Sequence, residues 1–130
     1  MFVESALIFL AFATMLIGAF DFGQFLFIQQ ALVERARYAA RWGAVNDPAD
    51  TVSISNMVRY HQAATPAAGT ASYFGLTAGN VVVTDPDHGT DTYRLNIRIS
   101  GYSFITVSPY LRGSYKGPTI NVSVPLGIYD

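Results

Sequence analysis

The first third of the chain is almost free of polar side chains: between Glu4 and Glu34 the single charge is Asp21. Ser5 to Phe20 reads SALIFLAFATMLIGAF, apolar on every face rather than along one stripe, which is the pattern of a helix jacketed by lipid or by protein. Polar positions then return at helical spacing. In LFIQQALVERARYAARWGA, Leu32, Ala36, Ala39 and Ala40, with Trp42 nearby, form a small apolar side, while Glu34, Arg35, Arg37 and Arg41 face elsewhere. No breaker intervenes before Gly43, and Asn46, Asp47 and Pro48 supply turn chemistry. One helix is predicted from about residue 2 to about residue 44, roughly 65 Å long at ~1.5 Å per residue. It greatly overshoots a bilayer, so its amphipathic second half calls for a globular cover.

Past the turn, TVSISNMVRYHQAAT carries Val52, Ile54, Met57 and Val58 behind an N-cap at Asp50 or Thr51, which predicts a short second helix ending before Pro66. TPAAGTASYFGLTAGN is small-residue and turn-rich, a connecting loop. From Val81 the period changes to two. VVVT is followed by YRLNIRIS, with Tyr93, Leu95, Ile97 and Ile99 on one face and Arg94, Asn96 and Arg98 on the other. YSFITV, a Pro/Gly-bearing loop from Ser108 to Pro118, and TINVSVPLGIY with Ile120, Val122 and Val124 alternating complete the pattern. These elements give an α+β chain: a long N-terminal helix with an apolar first half, a short helix, and a small antiparallel sheet of three or four strands packed on the helix's second half. Residues 1–33 form the hydrophobic helix, and residues 34–130 form the head together with the rest of that helix.

Composition sharpens this picture by exclusion. The 130 residues are 51% hydrophobic and 13% charged, with a mean hydropathy of +0.28, against ~25% charged in an ordinary soluble domain. Eight Lys plus Arg against nine Asp plus Glu leave a net charge of −1, which offers no basic field to a nucleic acid. The absence of cysteine excludes disulfides, thiolate metal sites and a Cys nucleophile. No catalytic motif surrounds His61 or His88, and neither an enzyme nor a cofactor is expected. The loop TDPDHGTD brings Asp85, Asp87, His88 and Asp91 close in sequence, weak candidates for a hard cation; a solvated turn explains them more simply. Asn121-Val122-Ser123 is an N-x-S sequon and makes Asn121 a glycosylation candidate, with chance occurrence the simpler reading.

Two acids stand out, because a carboxylate in or beside an apolar helix costs about 2.5 kcal/mol or more unless paired. For Glu4 the natural partner is the α-amino group of Met1 on a neighbouring copy. For Asp21 the alternatives are the membrane interface or Arg35, Arg37 or Arg41 of an adjacent copy. No Lys or Arg precedes the apolar run, whereas three Arg follow it, which by the positive-inside rule would place the head in the cytoplasm. A basic leader removed from in front of Met1 resolves that conflict and makes this a processed chain.

A Glu near a processed N-terminus, a long apolar run, Asp21-Phe22-Gly23 and an Arg/Ala-rich helix together resemble the TadE-like pilins of the tight-adherence (Tad) pilus system, a branch of the type IV pilin superfamily. The resemblance covers Val3 to about Gly43, as VESALIF, GAFDFGQFLFIQQAL and ARYAARWGA, and YRLNIRISGYSFITV with TINVSVPL is similar, more loosely, to the family's closing strands. Leu10 stands where members often carry proline, and the glutamate falls fourth rather than fifth. The resemblance implies cleavage by a prepilin peptidase, storage in the cytoplasmic membrane, and extraction by an assembly ATPase and an inner-membrane platform into an extracellular helical homopolymer on the cell surface. Met1, Glu4, Asp21, Phe22, Gly23, Arg35, Arg37 and Arg41 are the residues expected to serve assembly. The rivals are a minor pilin that primes or tips a filament of another subunit, and a single-pass membrane-anchored binding module outside the cytoplasm.

Overall fold

One unbroken helix, α1 (Phe2–Val45), forms the axis of the molecule. The computed structural model describes residues 1–84, 93–108 and 113–126. With 44 residues, α1 is roughly 66 Å long at ~1.5 Å per residue. Its C-terminal end is closed by Asn46, whose side-chain amide and backbone N–H both donate to the Trp42 carbonyl at 2.8 and 3.0 Å. Gly43 lies inside the helix instead of stopping it. A Cβ there would fall 2.6 Å from Ile54 Cδ1 and 3.0 Å from Leu95 Cδ2, so glycine is what lets the neighbouring elements approach.

The second helix, α2 (Thr51–Tyr60), begins at Asp50, whose carboxylate accepts the Ser53 N–H at 3.0 Å. These hydrogen bonds to Ser53 hold the Asp50 carboxyl below the usual aspartate value. The helix is shorter than its sequence suggests. His61 adopts a left-handed conformation (φ 61°) and returns its N–H to Met57 O at 3.1 Å, ending α2 before the HQAAT tail. The buried Asn56 then donates to the Ala63 carbonyl at 3.2 Å and fixes the return of the chain. The connection to the sheet contains two 3-10 turns, Tyr73–Gly75 and Ala78–Asn80, and buries Leu76. Asn80 locks it down: its side chain accepts from the Thr77 N–H at 2.8 Å and donates to the Ser100 carbonyl at 2.9 Å.

Among the described residues five strands follow: β1 (Val81–Thr84), β2 (Arg94–Ile99), β3 (Ser103–Ile105), β4 (Ser114–Lys116) and β5 (Ile120–Pro125). They form two antiparallel units, a three-stranded sheet ordered β1-β2-β5 and a separate β3-β4 ribbon. β4 was not expected, since it lies within the stretch read as a Pro/Gly-bearing loop; all three of its residues are exposed, so it carries no alternation to read. In the larger sheet Val81 pairs with Ile99, Ile97 with Val122 and Ile99 with Ile120, which puts the alternating apolar residues of all three strands on one face.

That face closes on α1 and α2. Leu32, Ala36, Ala39 and Ala40 are fully buried against Ile54, Val58, Leu95, Ile97 and Ile99. The alanines keep the side chains on α1 short, allowing sheet and helix to approach closely. Val52, read from sequence with the apolar side of α2, is instead 64% exposed. The head is thus an antiparallel sheet laid over the second half of α1, as the period change along the chain implies.

Candidate functional site

The first half of α1 projects beyond this core. Met1, Phe2, Leu7, Phe9, Phe12 and Phe22 are 62–102% exposed. No part of the most apolar 18-residue window, with a mean hydropathy of 2.0, is buried. At roughly 100 Å² for each exposed aromatic side chain, the four phenylalanines among them alone reach the ~300–600 Å² of the largest apolar patch on a typical monomer. The few polar groups in the run are satisfied within the helix. Ser5 Oγ donates to Met1 O at 3.1 Å and Thr14 Oγ1 to Leu10 O at 2.8 Å, so neither hydroxyl needs water. Gly18 and Gly23 leave open space on the helix surface, into which an added Cβ would meet nothing within 4 Å. The helix is therefore suited to an apolar jacket, and the described residues do not supply one.

Asp21 marks the boundary between the bare and covered halves. Its two carboxylate oxygens accept the backbone N–H groups of Val107 and Ser108, at 2.7 and 3.0 Å, from the segment that follows β3. One turn along the helix, Phe25 packs on Phe104 of β3 with ring centroids 5.2 Å apart, and Phe104 in turn faces Tyr115 of β4 at 6.0 Å. The β3-β4 ribbon is thus an arm that reaches back along α1, pinned by a paired-amide latch. Beside the latch lies a mostly apolar cavity of about 440 Å³, lined by Thr14, Gly18, Asp21, Phe22, Phe104 and Thr106.

The latch gives Asp21 partners that the sequence reading, which named the membrane interface or an arginine of another copy, does not include. They are two oriented N–H dipoles of the same chain, and charge-assisted bonds of this kind are about twice as strong as neutral ones. The arginines are engaged elsewhere or face outward. Arg35 lies over the Tyr73 ring at 4.1 Å, Arg37 pairs with Glu34 at 3.2 Å, and Arg41 is exposed. Glu4 is exposed about 26 Å from Asp21 along the axis, at ~1.5 Å per residue, so the two acids bracket the apolar run. Phe22 is exposed beside the cavity, and Met1 stands bare at the helix start.

The structure brings Asp21, Phe22 and Gly18 together with the arm and leaves Glu4 and Met1 far from them. Asp85, Asp87 and Asp91 lie outside the described residues; among those described, no group of three His, Cys, Asp or Glu is placed to hold a metal. Asn121 is exposed on β5, opposite Arg98 of β2. The arm contacts at Phe25, Phe104, Val107 and Ser108 escape sequence reasoning. The acceptor site is built from backbone N–H groups, which every residue but proline carries, so only the unexplained charge of Asp21 signals it. Comparison with protein-family models, with curated proteins and with solved structures gives no match.

Proposed function

We propose that this chain is a structural, non-enzymatic subunit of an extracellular helical filament of the TadE-like type IV pilin class, polymerising through the apolar half of α1. The observation that carries the reading is that half-helix itself: large apolar side chains exposed all round, on a helix that continues unbroken into the packed head. Phe2 to Phe20 measures about 28 Å at ~1.5 Å per residue, close to the ~30 Å hydrocarbon core, so the surface that packs in a filament also suits storage in a bilayer. Moving from lipid to neighbouring helices keeps it out of water at every stage, and contacts that repeat without closing generate a helix of subunits. The internal latch on Asp21 supports this reading, since it leaves Glu4 as the charge that another copy must answer, with the α-amino group of Met1 as its partner. Prepilin peptidase, an assembly ATPase and an inner-membrane platform are the partners that the pilin resemblance implies.

Electron microscopy of material sheared from cells, with mass spectrometry of its main component, tests the proposal. Thin filaments composed chiefly of this chain are expected, and Glu4→Ala cells should shed few or none. Recovery of the chain only from membranes, with no filaments, would overturn it in favour of a single-pass anchored module.

A further inference from the structure

On the flank of the head, where α2 ends against the 71–76 turn, a cavity of about 330 Å³ opens between two arginines. Its lining comprises Arg35 from α1, Arg59, Tyr60 and His61 from the end of α2, and Ser72, Tyr73 and Phe74 from the turn, and among the described residues it includes no carboxylate. In a chain of net charge −1, two of the eight basic side chains therefore converge on one concave site.

Its walls are aromatic faces held in place. Arg35 stacks over Tyr73 at 4.1 Å, Tyr73 packs on Phe74 at 4.4 Å, and Arg59 lies over Tyr60 at 4.7 Å. Phe74 is buttressed from below by Phe27, edge to face at 6.4 Å, and His61 stacks on Tyr38 at 4.6 Å. Arg59 is fixed by hydrogen bonds from Nε to the Leu76 carbonyl at 3.2 Å and from a terminal nitrogen to Tyr60 Oη at 2.8 Å. These contacts occupy part of its guanidinium fork and leave donors over, while no acceptor among the described residues takes the Arg35 fork. Among the described residues, the two non-glycine positions with positive φ, His61 (61°) and Phe74 (49°), both line this cavity. A bulky aromatic residue in that conformation is uncommon and is held only where its surroundings over-determine it.

We propose that this cavity binds a carboxylated sugar ring, a uronate-type unit of an acidic polysaccharide. The guanidinium of Arg35, held over Tyr73, takes the carboxylate, the exposed part of Phe74 takes the C–H face of the ring, and the hydroxyls of Ser72 and Tyr60 meet the ring hydroxyls. A bare inorganic anion would use the arginines and leave the aromatic walls idle. A lipid headgroup is excluded by position on the reading that Ser5–Phe20 is the membrane-stored segment. Arg35 lies about 22 Å along the axis beyond Phe20, at ~1.5 Å per residue, whereas the headgroup layer is only ~5–8 Å deep.

The test is titration of the isotope-labelled full chain in detergent micelles, followed by NMR, with methyl glucuronide, methyl glucoside and inorganic phosphate as separate probes. Saturable shifts confined to His61, Ser72, Tyr73 and Phe74 are expected with the glucuronide, weakened by salt, with little response to the glucoside. Arg35→Gln should weaken glucuronide binding about tenfold or more at an unchanged melting temperature. Equal responses to glucuronide and glucoside, a phosphate response as strong as the glucuronide's, or no response in the wild-type chain would each overturn the proposal. Filament formation is read separately, so failure of this site leaves the assembly proposal standing, and the reverse also holds.

Discussion

The two halves of α1 share one backbone and meet opposite fates. From Ile28 to Gly43 the inward stripe is Leu32 followed by alanines and a glycine, and the head covers it to zero exposure at Leu32, Ala36, Ala39 and Ala40. From Phe2 to Phe20 the side chains are larger and more apolar, yet they stay bare, and only Ala13 and Ile17 are half-buried. Hydrophobicity alone therefore does not decide what is buried within the chain. Small residues on one stripe invite a sheet of the same chain, whereas bulky residues on all sides demand a jacket that the described residues do not provide.

One substitution made in each half breaks this comparison most sharply. Leu32→Ala should destabilise the head by about 2–5 kcal/mol, while Leu7→Ala should change head stability by no more than about 0.5 kcal/mol and instead reduce filament yield. Thermal melts followed by near-ultraviolet circular dichroism check the first half of this statement, and shearing yields check the second. Equal melting losses would dissolve the distinction between the halves.

Asp21→Ala comes next in size. Stranding the amides of Val107 and Ser108 should cost about 1–2 kcal/mol, read as faster hydrogen exchange at those amides and loss of the Phe25–Phe104 ring contact, with the β1-β2-β5 sheet intact. Unchanged exchange at both amides would remove the latch. Smaller still is the contribution of Asp50. Its carboxyl titrates lower in the folded head than in the unfolded chain, so the stabilisation is complete above the ordinary aspartate value of 3.8 and is lost as pH falls below it. Asp50→Asn, which can still cap α2, should flatten that acid limb in a pH series of melts. Smallest is Tyr102→Phe. Burial pushes the Tyr102 hydroxyl's pKa up, and the hydroxyl has no hydrogen-bond partner among the described residues, so removing it should leave the melting temperature unchanged or slightly raised. By contrast, a Cβ on Gly117 would lie 2.2 Å from the Tyr102 ring, which makes that glycine a requirement of the packing.

Much of this architecture is legible in the sequence because it is periodic. The span of α1, the small stripe at Leu32, Ala36, Ala39 and Ala40 and the alternation of Leu95, Ile97 and Ile99 follow from local repeats of 3.6 or two residues, and the cap residue type narrowed the start of α2 to Asp50 or Thr51. What escaped was non-periodic or distant. α2 stops at a left-handed His61 where composition allowed it to continue, Leu76 enters the core from a stretch that reads as loop, and β4 has three exposed residues. Asp21 was legible as a charge needing an answer, but its partners lie 86 and 87 positions away and are backbone groups without a sequence signature.

That separation also fixes an order of events. Closing a contact across so many residues carries a loop entropy that grows with the logarithm of its length, and the arm docks only after the chain through Ser108 has been synthesised. The docking contacts that α1 makes with the arm include the two hydrogen bonds to Asp21 and the Phe25–Phe104 ring pair, at the margin of the fully buried core. The apolar rod is therefore made long before its clasp exists, and the collar at Asp21 is still open when the rod emerges.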